Sequence, residues 1–170
     1  ILCIVEEQLL TPVGLRTLSP RDPRYRPRYE GGVAERDGAY HQGTVWPFLL
    51  GPFVTAWVKI FGGSAAVRKT ARGFLAGLEA HLHEACLGHV SEILDAEAPH
   101  PPRGCFAQAW SIAEPLRALV EDLGIQAKAE KFTAKQILAR QCKETVPPST
   151  QLKKGKSVQR RRGKDAPLNA

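Results

Sequence analysis

Between residues 64 and 85, apolar side chains recur at Val67, Ala71, Phe74, Leu75, Leu78 and Leu82. That is the spacing of one helical face, and such a stripe must be buried against a partner layer. Three other segments carry the same period. Residues 1–10 place Ile1, Val5 and Leu9 in one row, with Pro12 beyond the end. Residues 44–61 place Val54, Trp57, Val58 and Phe61 together and stop at Gly62-Gly63, with a kink expected at Gly51-Pro52. Residues 105–123 turn Phe106, Ala109, Trp110, Ala113, Leu116 and Val120 inward, although Pro115 lies within the helix. Nothing reads as a paired set of strands, so the expected class is all-α: helices separated by long loops.

Two loops stand out. Residues 11–43 are rich in Pro, Gly, Arg and Tyr, and residues 89–104 carry Glu92 and Asp95 and close on prolines. Loops this long in a compact domain are uncommon and are usually functional or disordered. Tyr25, Tyr29 and Tyr40 argue for order in the first. A short helix is expected over 127–141, using Phe132, Ile137 and Leu138, and a disordered tail follows.

The net charge of +7 is unevenly spread. Residues 128–170 hold 12 Lys and Arg against 3 Asp and Glu, whereas residues 1–127 hold 12 against 14. The basic character therefore belongs to the tail. It does not point the folded part at nucleic acid, although Arg160-Arg161-Arg162 with Lys164 is compatible with a localisation or RNA-binding patch. No apolar run approaches the ~18 residues of a membrane span, and position 1 shows no export signal. Cys3, Cys86, Cys105 and Cys142 lack paired spacing, which fits a reducing cytoplasm better than a disulfide framework. His81, His83, Cys86 and His89 form the one metal-like cluster. His81 and His83 point to different helix faces, so neither a metal nor any other cofactor is expected.

The string Tyr40-His41-Gln42-Gly43-Thr44-Val45-Trp46-Pro47 crowds polar and aromatic residues ahead of an apolar helix. Sugar sites use these residue types: aromatic faces cover ring C–H groups, and planar amides and imidazoles bond hydroxyls. The competing reading is a turn, with Thr44 as N-cap, Pro47 in the first turn and Trp46 buried.

Three further strings bear on that choice: Gly14-Leu15-Arg16-Thr17-Leu18-Ser19-Pro20, Ser91-Glu92-Ile93-Leu94-Asp95, and Pro99-His100-Pro101-Pro102-Arg103-Gly104-Cys105 running on to Ala107-Gln108-Ala109-Trp110-Ser111-Ile112-Ala113-Glu114. In order and spacing they resemble the C-terminal part of bacterial-type glycogen debranching enzymes, the amylo-α-1,6-glucosidase family, over roughly residues 2–123. The resemblance implies the closing portion of an (α/α)6 toroid in residues 1–125, with 126–170 as a basic tail. It implies inverting hydrolysis of α-1,6-linked branch glucose in glycogen, limit dextrin or a related α-glucan. Glu92 falls where the family carries its C-terminal catalytic carboxylate, so it is the expected general base, with Arg16, Tyr40, His41, Gln42 and Trp46 lining the glucose subsite. The family's general acid has no match here; Asp37 and Asp95 stand elsewhere in the order. The block also departs from the family's Glu-Ile-Phe-Asp-Gly at Leu94 and Ala96.

The absence of Met and the helical start at Ile1 lead to the expectation of a fragment, inactive alone and exposing apolar faces with Val54, Trp57, Phe74, Leu78, Trp110 and Leu116. The rest of the toroid is then expected upstream. The alternative is a catalytically inactive truncated remnant, or a carbohydrate-binding helical module with a polyanion-binding basic tail.

Overall fold

The computed structural model of the protein describes residues 1–85 and 87–125. The expected helix over 127–141, the basic tail and Cys86 lie outside the described residues.

The first segment is helical as its period predicts. Helix α1 spans Leu2–Gln8 and lays Leu2, Val5 and Leu9 against the core. The chain then turns at Pro12-Val13, where Thr11 Oγ1 donates to the Gly14 carbonyl at 2.8 Å. This makes a hairpin of β1 (Leu10–Thr11) and β2 (Gly14–Arg16). The loop that follows holds helix α2 (Val33–Ala39) before reaching β3 (Val45–Trp46). A 3₁₀ turn over Pro47–Leu49 leads into α3 (Leu50–Phe61). Pro47 begins that turn, where a missing N–H costs nothing. Gly51 and Pro52 lie in the first turn of α3, so what reads as a kink is a helix start.

The stripe over 64–85 is shared by two helices. Ser64 caps α4 (Ala65–Gly73) by accepting the Val67 N–H at 3.3 Å, and α5 (Ala76–His81) follows after a break at Phe74-Leu75. A second hairpin, β4 (Ile93–Leu94) and β5 (Pro102–Arg103), occupies the second loop, and α6 spans Ala109–Glu121.

The absence of paired strands is the first correction. A five-stranded antiparallel sheet runs in the order β1-β2-β3-β4-β5. Its register joins Leu15 to Trp46, Val45 to Leu94, and Ile93 to Arg103. Strands of two or three residues are too short to display an alternating pattern, so they leave no periodic trace in the sequence. The sheet is small but decisive for position, because it ties together three segments that are far apart in the chain.

The main core lies among the helices and includes Leu50, Phe53, Val54, Ala71, Leu75, Leu78 and Ala118. Full burial of a side chain such as Leu50, Val54 or Leu75 contributes ~1.5–3 kcal/mol. A smaller cluster of Val45, Leu94 and Ala96 lies on the sheet with Val13 and Tyr25.

Helix α6 brings the second correction. Phe106 is not in it, and Trp110, Leu116 and Val120 are exposed at 45%, 56% and 52%. Its buried residues are Ser111, Pro115 and Ala118. Close packing explains the reversal. A Cβ on Gly51 of α3 would come within 2.8 Å of the Glu114 Cβ and carbonyl oxygen. Backbones that close admit only small or compact side chains between them, and Pro115 is one of these. The faces expected to stand open are split: Val54 and Leu78 are buried, Trp57 and Phe74 are partly buried, and Trp110 and Leu116 are exposed.

Candidate active site

Glu92 sits just before β4, opposite the two residues that follow β5. Its N–H donates to the Cys105 carbonyl at 2.8 Å. Ile93 pairs with Arg103, so Gly104 and Cys105 together oppose Glu92. This arrangement is a bulge built on a glycine with φ +64°, a conformation that L side chains adopt at a cost. Bulges re-aim neighbouring side chains, and here the result is specific. The Cys105 N–H donates to Glu92 Oε2 at 3.0 Å, and Tyr40 Oη donates to Oε1. A carboxylate offers about four acceptor positions, so lone pairs remain to take a proton from a water molecule.

Tyr40 follows α2, and its carbonyl anchors the next turn. Thr44 Oγ1 donates to that oxygen at 2.6 Å and Trp46 Nε1 at 3.2 Å. Thr44 therefore does not cap a helix; it closes the turn that positions Tyr40. The rings form a continuous group. Tyr40 lies 4.9 Å from Trp46 edge-on, and His41 stacks on Trp46 at 5.2 Å with its plane tilted 15°. Trp46 is only 4% exposed, while His41 is exposed and Tyr40 partly so. Trp46 is the buried backing, and the outer rings are those free to meet a ligand. Burial first, and then the bond to Glu92, hold the Tyr40 phenol above the ordinary tyrosine range, so it stays a donor.

Arg16 stands elsewhere. It pairs with Val45 in the sheet, so its side chain leaves on the face opposite that of Trp46. Its Nη2 donates to the Ala96 carbonyl at 3.0 Å and lies 3.8 Å from Glu97. Tyr25 Oη donates to the same Glu97 at 2.6 Å. Burial chiefly, with the Glu97 bond assisting and Arg16 opposing, pushes the Tyr25 phenol up to about 12. Gln42 lines a hollow with Arg24, Tyr25, Arg26 and Gly38. The structure thus brings Tyr40, His41 and Trp46 together beside Glu92. Arg16 and Gln42 make their described contacts elsewhere.

The other carboxylates have their own partners. Asp95 is buried, accepts the Tyr29 N–H at 2.9 Å and pairs with Arg103 at 2.9 Å. Asp37 lies on the exposed side of α2. His81 is buried, 2.7 Å from Glu84 through Nδ1, while Nε2 accepts the Ser91 N–H at 3.3 Å. Among the described residues no group of three or more His, Cys, Asp or Glu could hold a metal ion. Nor is any described helix long and apolar enough to cross a membrane. Two contributors escape a reading of the side chains alone: the Cys105 N–H, which is backbone, and Gly104, whose trace is the glycine in Arg103-Gly104-Cys105.

The profile of one family, described as Amylo-alpha-1,6-glucosidase, matches residues 1–117, more than half of the chain. The chain belongs to the amylo-alpha-1,6-glucosidase family. The resemblance carried by the four strings is therefore correct at the level of family. A 60-residue stretch is 45% identical to the glycogen debranching enzyme of Saccharomyces cerevisiae (strain ATCC 204508 / S288c), covering 32% of this chain. The aligned stretch spans 4% of that protein's length. The helices are compatible with a helical glycosidase domain, and a small antiparallel sheet is present beside them.

Proposed function

We propose that residues 1–125 form the closing part of an (α/α)6 glycosidase domain that releases α-1,6-linked branch glucose from glycogen, limit dextrin or a related α-glucan. Residues 126–170 are a separate basic tail. Glu92 is the general base. It removes a proton from a water that attacks the anomeric carbon from the face opposite the leaving oxygen, inverting the configuration. Such a pair of carboxyls stands ~6.5–9.5 Å apart to admit the water. Asp95 is not placed to serve as the acid, because both its oxygens are taken up by Arg103 and the Tyr29 N–H. Tyr40 and His41 meet the sugar and Trp46 backs them, while Arg16, in β2, and Gln42 act from outside this group. The work takes place in the cytoplasm, where the exposed thiols of Cys3 and Cys105 stay reduced.

One observation carries this reading. The Glu92 carboxylate is held at both oxygens, by Tyr40 Oη and the Cys105 N–H, beside an aromatic group with exposed rings. The test is Glu92→Gln in the full-length protein. It should lower kcat by ~10³-fold, about 4 kcal/mol of transition-state stabilisation, with KM little changed. Retention of more than about a tenth of the activity would remove Glu92 from the mechanism.

A further inference from the structure

Asp95 lies three positions after Glu92, is 4% exposed, and uses both oxygens on groups that lead back to Glu92. Its Oδ2 accepts from Arg103 Nη2 at 2.9 Å and Nε at 3.1 Å, a two-pronged grip on the strand that carries the bulge. Arg103 is followed by Gly104 and then Cys105, whose N–H donates to Glu92 Oε2. Its Oδ1 accepts the Tyr29 N–H at 2.9 Å. The Tyr29 ring packs 5.7 Å from that of Tyr40, which donates to Glu92 Oε1. Both donors on Glu92 thus lead back to the same buried carboxylate, Tyr40 through Tyr29 and Cys105 through Arg103 and Gly104.

We propose that Asp95 is a positioning residue for Glu92, setting the Tyr40 hydroxyl and the Cys105 N–H on its two oxygens by fixing Tyr29 and Arg103. The proposal rests on Glu92 being the base. The geometry favours this over simple loop anchoring. An anchor needs one partner, whereas Asp95 divides its oxygens between two segments that converge again on one carboxylate. Arg103 has one weaker alternative partner, Glu30 at 3.9 Å, so it does not need Asp95 merely to be neutralised. Two N–H groups of the planar Arg103 guanidinium meet one Asp95 oxygen, which fixes the orientation of the guanidinium as well as balancing its charge. Misplacement of a reacting group by ~1 Å can cost ~10²-fold in rate, so slack in either donor should be visible in turnover.

The experiment compares Asp95→Asn, Arg103→Lys and Glu92→Gln in the full-length protein, following glucose release from limit dextrin across pH. Asp95→Asn keeps the shape but sets an amide against the guanidinium. Its kcat should fall by ~10–10²-fold with KM changed less than about twofold. The acidic limb of the kcat/KM profile should move to higher pH, because a carboxylate whose donors slacken holds its proton more tightly. Arg103→Lys keeps the charge but not the fork, and should move the same limb in the same direction by less. It carries the test alone if Asp95→Asn does not fold. On the Glu92→Gln background, Asp95→Asn should cost nothing further. A folded Asp95→Asn that keeps kcat, or loses kcat with an unmoved acidic limb, overturns the proposal while leaving the base reading intact. An active Glu92→Gln overturns the base reading itself, whatever Asp95 does.

Discussion

Replacing Gly104 with alanine tests the link between backbone and chemistry most directly. Gly104 has φ +64°, so an alanine there costs ~1–2 kcal/mol from the left-handed conformation alone. The added Cβ would also lie 2.5 Å from Glu92 Oε2, 3.1 Å from Ile93 Cγ1 and 3.3 Å from Glu92 Cβ. An ordinary carbon–oxygen approach is about 3.3–3.6 Å, so the carboxylate must retreat by roughly 1 Å. That retreat stretches the 3.0 Å bond from the Cys105 N–H beyond hydrogen-bonding range. Glu92 is partly exposed, so water can replace the lost donor and the further stability loss stays small. The loss in rate should not be small: ~10²-fold in kcat for a base displaced by that distance. Gly88 supplies the control. It has φ +80°, yet a Cβ there would meet nothing within 4 Å. Gly88→Ala and Gly104→Ala should therefore lose similar stability in thermal melts, and only Gly104→Ala should lose turnover in a glucose-release assay. Equal kcat in the two variants would refute the reasoning, because strain without displacement would then account for everything.

Tyr40→Phe, which removes one donor from Glu92, should lower kcat by ~10-fold and raise the acidic limb of the pH profile, whereas an unmoved limb would mean the bond does not tune the base. Trp46→Ala should cost ~3–5 kcal/mol of stability, read from denaturant unfolding, because the ring is buried backing; a loss confined to sugar affinity would return it to the ligand face. In an alkaline titration followed by phenolate absorbance, Tyr25 and Tyr40 should ionise above the ordinary tyrosine range, Tyr25 at about 12. Both phenols are raised in the fold, so their contribution to stability is complete below about pH 10 and is lost as pH climbs through the folded values. Ionisation of both in the ordinary tyrosine range would count against their bonds to Glu97 and Glu92.

The helices were largely legible because burial leaves a period. Val67, Ala71, Leu75 and Leu78 announce a stripe, even though Phe74-Leu75 divides it between two helices. The inner face of α6 was not legible. Hydrophobicity ranks Trp110, Leu116 and Val120 as core, but the crossing at Gly51 and Glu114 leaves room only for Ser111, Pro115 and Ala118. The sheet was hidden because a pair such as Val45-Trp46 has no alternation to read. At the site, the residue types in the Tyr40–Trp46 string could be read, but which of them faces solvent could not. Arg16 and Gln42 shared strings or neighbours with the others, and sequence proximity says nothing about which sheet face a side chain leaves. The basic tail and the helix expected over 127–141 lie outside the described residues.

The division between layers has a mechanical consequence. The helices hold most of the buried apolar surface, whereas the sheet holds the alignment of Glu92 with partners 52 and 13 positions away in the chain. Those two donors reach it by independent routes. Tyr40 comes through the turn closed by Thr44 and backed by Trp46; Cys105 comes through the bulge at Gly104. Two routes to one carboxylate make its position over-determined. Removal of one donor leaves the other to limit the drift, so single substitutions should grade activity rather than abolish it. Joining Tyr40→Phe to Gly104→Ala removes both limits at once, and its cost should exceed the product of the two separate losses. Residues in contact through one shared group are where additivity fails. A double variant that merely multiplies the single losses would mean the two routes act on different steps, and that the sheet aligns something other than this carboxylate.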